Sequence, residues 1–280
     1  MADTPAPAPV PATPVPATKP RSETSETIRF LVKLAIAVYI LRSFIFAPFS
    51  IPSESMLPRL LIGDYLFVTK WNYGYSRWSL PYGFPPIPGR LFAHDPSRGD
   101  VVVFRSPGPD DHDVIKRVIG LPGDTIQMRR GQVILNGTPV PKQRVADFVF
   151  PLSANFDEQK CGATFVDVDA KGTPICRYPQ FRETLPNGKS YMVLDQADIP
   201  QADDTGVYTV PAGDVFLMGD NRDDSADSRF PAPIGMGYIP MEQIEGKAVV
   251  TFFSTNGNAR WFNPVSWFTA ARWNRIGEGF

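Results

Sequence analysis

Residues 131–140 read GQVILNGTPV, and this stretch decides the fold class. Val133-Ile134-Leu135 and Thr138-Pro139-Val140 are short runs, with Asn136-Gly137 between them. A two-residue hairpin loop needs positive φ at both positions, which Asn and Gly adopt at the least cost. The pair therefore predicts a β-hairpin. The same punctuation recurs on both sides: DVVVFRS at 100–106, GDVFLMGD at 213–220 and GKAVVTFFS at 246–254 are β-branched or aromatic runs bounded by turn residues. No window outside residues 29–49 sustains a helical period. The expected fold is mainly β and antiparallel. The stretch from about 142 to 207 is broken every few residues by DEQKCG, DAKGTP and LPNGKS. It reads as an insertion into a more regular core.

The composition narrows the function classes. The chain has 280 residues, a net charge of −1 and a pI near 6.2, so no nucleic-acid partner is expected. Seven of its 30 prolines fall in the first twenty residues, an Ala/Pro/Thr tract that cannot bury a core. That tract lacks the positive start and apolar middle of a secretory signal. Residues 1–28 are expected to be a disordered tail.

Residues 29–49 are the one long apolar stretch. From Phe30 to Phe49 they offer a run matching the roughly 30 Å of a bilayer core. Lys33 can snorkel, whereas Arg42 would cost about 2–3 kcal/mol at the bilayer centre. An interfacial amphipathic helix is the competing reading. Lys19, Arg21, Arg29 and Lys33 lie on the N-terminal side, which predicts a single-pass anchor with a cytoplasmic N-terminus and everything after Phe49 outside. Outside the cytoplasm Cys161 and Cys176 are permitted to pair, although two buried free thiols remain open. No CxxC, HExxH or histidine cluster appears, so neither metal nor cofactor is expected.

Three polar segments stand out from the β pattern. SIPSESM at 50–56 places Ser53 and Ser55 just after the anchor, with no histidine nearby. IKRVIGLPGD at 115–124 puts Lys116 in an apolar run, where a lone lysine is ordinarily a surface residue. GDNRDDSADSRF at 219–230 could be an acidic loop or a calcium site, but its spacing does not follow the EF-hand loop.

Together and in this order, the three segments resemble the motif set of bacterial type I signal peptidases, the membrane-anchored Ser-Lys proteases. The resemblance spans the anchor and most of the outer domain. It implies Ser55 as nucleophile and Lys116 as general base. It implies Ser53 as a hydroxyl aiding the Ser55 N–H at the oxyanion, and Ser225 as the residue that orients the lysine. Asp227, Arg229 and Gly219 would support the site, and Ile51 and Ile115 would narrow the pocket for the residue before the scissile bond. The family fold is a large antiparallel catalytic core, here 50–125 and 210–280, with a smaller β insertion domain, here 126–209. The implied localisation is the bacterial inner membrane, with signal-peptide-bearing preproteins and the lipid bilayer as partners. Two departures stand out. Glu54 replaces a glycine of the best-known members, and FPAPIGMGYIP at 230–240 is longer than the usual connection.

The chemistry asks much of Lys116. A solvated lysine has a pKa of about 10.4 and holds its proton at neutral pH. Burial against apolar neighbours such as Val114 and Ile115 disfavours the ammonium and frees the amine to act as a base. Near the C-terminus Trp261, Phe262, Trp267, Phe268 and Trp273 could pack in the core or rest in lipid headgroups. Two other functions compete. A self-cleaving SOS-type protease would need a DNA-binding domain and an Ala-Gly bond before the serine. A non-catalytic anchored β module would make all three motifs turns.

Overall fold

A computed structural model describes residues 23–107, 112–260 and 262–280, so the Pro-rich residues 1–22, with Lys19 and Arg21, and Trp261 lie outside the described residues. The chain divides into two compact units, residues 1–38 and 39–280. Helix α1 spans Glu23–Ile40, all but its last two residues in the first unit, with no buried residue. The tail therefore ends sooner than 28, because Glu23–Ile28 are already helical. Glu23 and Glu26 stand in the first turn, where acidic side chains favour the helix dipole. Among the described residues no helix is long and apolar enough to cross a membrane.

The expectation that residues 29–49 form one helix needs correction. Leu41–Ile45 wind as a π-turn, and Phe46–Ser50 form a strand, β1. Pro48 cannot donate a helical hydrogen bond, and β1 finds partners across its whole length in Asp64–Thr69, β2. Pairing with a distant strand outweighs the local apolar run.

The second unit is built on a seven-stranded antiparallel sheet. With β3 at Val101–Arg105, β4 at Asp113–Gly120, β5 at Asp214–Met218, β6 at Ile239–Pro240 and β7 at Ile244–Ser254, the spatial order is β1-β2-β7-β3-β4-β5-β6. β4 is paired on both sides, to β3 and β5, and its last six residues are all buried. An ordinary surface strand would alternate. This continuous burial is what removes Lys116 from water.

The hairpin expected at Asn136-Gly137 is present. Gln132–Leu135 pairs with Thr138–Pro139, and Asn136 and Gly137 sit at φ 52° and 76°. Residues 125–209 add a four-stranded sheet and two three-stranded sheets. Ile126, Met128, Val133 and Leu135 share one buried cluster with Ile119, Phe216 and Met218 of the main sheet. Three short helices that no periodicity announced also appear: α2 at Glu158–Cys161, α3 at Pro200–Asp203 and α4 at Pro264–Ala270. Runs of four and seven residues are too short for a 3.6-residue pattern to stand out.

Cys161 and Cys176 form a disulfide across 15 positions, joining α2 to the strand Pro174–Tyr178. Both sulfurs belong to a buried cluster with Leu57, Tyr178 and Leu194. Replacing both cysteines by Ala is expected to lower unfolding free energy by about 2–4 kcal/mol, read from chemical denaturation. Equal denaturation midpoints with and without reductant would contradict it.

Candidate active site

The turn that carries Ser55 is anchored from both sides. Met56 and Leu60 enter the cluster that holds Ile51 and Ile115, while Leu57 enters the cluster around the disulfide. The Leu57 N–H closes the turn on Glu54 O at 2.9 Å. Ser55 is 8 % exposed and Lys116 is 4 % exposed, and Lys116 Nζ lies 2.6 Å from Ser55 Oγ. Residues 61 positions apart are thus brought to hydrogen-bonding distance in a nearly dry site.

Electrostatics favour a releasable proton. Burial lowers Lys116 to about 8, while Asp227, Asp220 and Asp224 pull the other way and Arg229 again lowers it. A hydroxyl beside an amine poised near neutral pH is an arrangement in which the amine can accept the hydroxyl proton. Ser53, exposed, sets its Oγ 3.5 Å from Ser55 Oγ. The Ser55 N–H makes no hydrogen bond among the described residues. Ile51 and Ile115 wall the same cluster beside the pair, at 2 % and 4 % exposure.

The polar segment 219–230 folds over the pair. Gly219 donates its N–H to Asp227 Oδ2 at 3.0 Å. A Cβ at Gly219 would stand 2.3 Å from Ser225 Oγ and 2.6 Å from Ser55 O, so only glycine permits this approach. Asp227 and Arg229 are fully buried and paired through two contacts of 2.9 and 3.0 Å. Burial alone would raise the Asp227 carboxyl, but Arg229 more than offsets it and holds Asp227 below the usual carboxylate range.

Ser225 behaves differently from expectation. Its Oγ is buried over Gly219 and makes no hydrogen bond, so the contact expected to orient Lys116 is not made. Only Ser55 Oγ accepts from Lys116 Nζ among the described residues. Four further charges brace the site without having been singled out in the sequence. Arg117 forks onto Asp220 at 2.7 and 2.5 Å, and Arg222 onto Glu183 at 2.7 and 2.5 Å. All four are buried. Arg117 directly follows Lys116, and a second cation within an apolar strand was the available signal. Away from the pair, Asp195, Asp203 and Asp223 bring carboxylate oxygens within 4.8 Å, and Lys142 already neutralises Asp195.

The family profile described as "Signal peptidase, peptidase S26" matches residues 24–253. A signal peptidase I of Rickettsia typhi is 34 % identical, covering 91 % of this chain and 95 % of its own. That of Rickettsia akari is 35 % identical, covering 88 % of each chain. A solved signal peptidase I of Enterococcus faecalis aligns with 55 % of this chain and 97 % of its own at 25 % identity, with a TM-score of 0.29.

Proposed function

The chain belongs to the signal peptidase family, peptidase S26, and we propose that it cuts signal peptides from exported preproteins with Ser55 as nucleophile and Lys116 as base. The observation that carries this reading is the 2.6 Å contact between Lys116 Nζ and Ser55 Oγ in a buried site. With its pKa near 8, about a tenth of Lys116 is neutral at pH 7. The neutral amine takes the Ser55 proton as Oγ attacks the scissile carbonyl. The oxyanion accepts from the Ser55 N–H and the Ser53 hydroxyl. Lys116 then returns the proton to the departing amine, which leaves an ester on Ser55. Water, giving a proton to the same lysine, attacks that ester; the proton passes to Ser55 Oγ as the signal peptide leaves with its new carboxyl group. Branched walls at Ile51 and Ile115 leave room for alanine or glycine before the cut. Ser225 fits an orienting role that needs a rotamer change during turnover, and Asp227–Arg229 holds Gly219 against Ser55.

The wider architecture follows the same reading. Residues 29–45, what remains of the expected anchor once Phe46–Ser50 are a strand, hold the chain in the bacterial inner membrane. Phe30, Leu31, Val32, Leu34, Ile36, Val38 and Ile40 are all exposed around α1, as in a helix meant for lipid. Residues 50–125 and 210–280 form the catalytic core outside the cytoplasm, and 126–209 form the insertion. Phe262, Trp267, Phe268 and Trp273, all exposed, rest in the lipid headgroups.

Purified full-length protein in detergent should cleave a preprotein after a small-x-small sequence, and Ser55→Ala should leave it intact. Intact preprotein with the wild-type chain would refute the activity. Protease added to spheroplasts should digest residues beyond 50 while a tag at Met1 stays protected; the reverse pattern would refute the topology.

A further inference from the structure

Two recesses are lined by residues close in the chain to the Ser55–Lys116 pair or its isoleucine walls, and they share no lining residue. The first, of about 520 Å³, is walled by residues 47–49 of β1, Val103 and Asp113. Asp113 lies two residues before Ile115 on β4, where side chains repeat every second residue, and Phe49 lies two residues before Ile51, which follows the end of β1. Phe49, which lines this recess, also packs against the cluster that holds Ile51 and Ile115.

The second recess, of about 470 Å³, is lined by Glu54, the residue before Ser55. Asp157, Lys160, Tyr178, Asn221 and Asp224 complete its polar lining. Asn221 ties it to the nucleophile: its N–H donates to Ser55 O at 3.1 Å and its side-chain amide to Glu54 O at 3.3 Å. Cys161 also lines it, so the disulfide holds this wall, and Tyr178 donates to Cys161 O at 2.9 Å. Three carboxyls thus face a single ammonium, and that ammonium is turned to Asn155 O at 3.0 Å. Partial desolvation, and then Glu54 beside it, raise Asp224 to about 6, although the residue reaches the surface.

We propose that this second recess receives the first residues of the mature chain, those just after the scissile bond, and that Glu54 and Asp224 select cationic side chains there over acidic ones. The inference rests on the Ser55–Lys116 reading above. A preprotein seated on Ile51 and Ile115 with its scissile bond at Ser55 continues past that serine, and in this proposal it does so beside Glu54. A carboxylate entering the recess meets like charges at close range in a partly desolvated space. An ammonium meets opposite ones, and so does the new α-amino group that cleavage creates. Because Asp224 ionises near pH 6, the preference should strengthen as pH rises through that value.

The test uses full-length protein in detergent and three preproteins that differ only at the second residue after the cut: Gln, Lys or Glu. At pH 7.5 the ratio of kcat/KM for the Lys over the Glu substrate should be about 10 or more. The ratio should fall by severalfold at pH 5.5. In Glu54→Gln, Asp224→Asn and the double variant it should fall stepwise toward one. The ratio is taken within each enzyme, so any change in overall activity, including one through Lys116, cancels. If wild type fails to cleave the Gln substrate, the Ser55–Lys116 reading itself falls. If it cleaves all three equally, or if the variants keep the full ratio, only the selection by this recess is overturned.

Discussion

Lys116→Arg is expected to reduce kcat by about 10⁴–10⁶, although the substitution keeps the positive charge and much of the volume. Guanidinium does not release its proton near neutral pH, so the Ser55 hydroxyl would have no base 2.6 Å away. Ser55→Ala should lose a similar factor, and the double variant little more, because the two side chains act as one unit. The wild-type profile of kcat/KM should rise on its acid limb near pH 8, the value to which burial lowers Lys116. The same burial predicts a stability effect of known sign. The folded pKa, about 8, lies below the ordinary 10.5, so the buried ammonium costs about 3 kcal/mol below pH 8. That cost disappears between about pH 8 and 10.5. Lys116→Met should thus be inactive yet more stable at pH 7, with the gain shrinking above pH 8. Retention of a tenth of wild-type turnover by Lys116→Arg would end the Ser-Lys mechanism for this protein, and so would an inactive His94→Ala.

Arg229→Met is expected to destabilise the protein by about 3–5 kcal/mol at pH 7, since it strands a charged Asp227 with no access to water. Urea denaturation reads the loss directly. In the wild type Asp227 is held below its unfolded value, so its contribution is present above the ordinary carboxylate pKa and is lost as pH falls through the folded value. Adding Asp227→Asn to Arg229→Met should recover part of the loss, because a neutral amide is cheaper to bury than a lone carboxylate. A loss below about 1 kcal/mol would mean that water or another cation reaches Asp227. Asp227→Asn alone should also move the acid limb of kcat/KM to lower pH. Asp227 is the strongest neighbour supporting the Lys116 ammonium, and removing it leaves Arg229 unopposed.

What was legible in the chain alone falls into two kinds. The Asn136-Gly137 hairpin was legible because positive φ at both loop positions is a property of those two residues, whatever surrounds them. The runs at 100–106, 213–220 and 246–254 were legible as strands because their side chains favour a pleated surface. Ser55 and Lys116 could be singled out together only as parts of a recurring motif set. Nothing in a lone lysine within IKRV says that its strand will be buried.

Tertiary structure decided the rest, and the reason is distance along the chain. Lys116 is buried because β4 is inserted between β3 and β5, a placement made by pairing partners up to about a hundred residues away. Phe46–Ser50 leave the helix for the same reason, since a complete ladder to Asp64–Thr69 outweighs a local apolar run. Arg117 finds Asp220 across 103 positions, and Arg222 finds Glu183 across 39. Periodicity describes neighbours three or four residues apart, and ion pairs at these separations obey no period. Ser225 is the sharpest case. Its residue type and motif position marked it for Lys116, yet the space above Gly219 decided where its hydroxyl went. Residue types and short-range φ preferences determined which groups were available and where the chain would turn, whereas long-range packing determined which of them meet, how dry they are and hence what their protons can do.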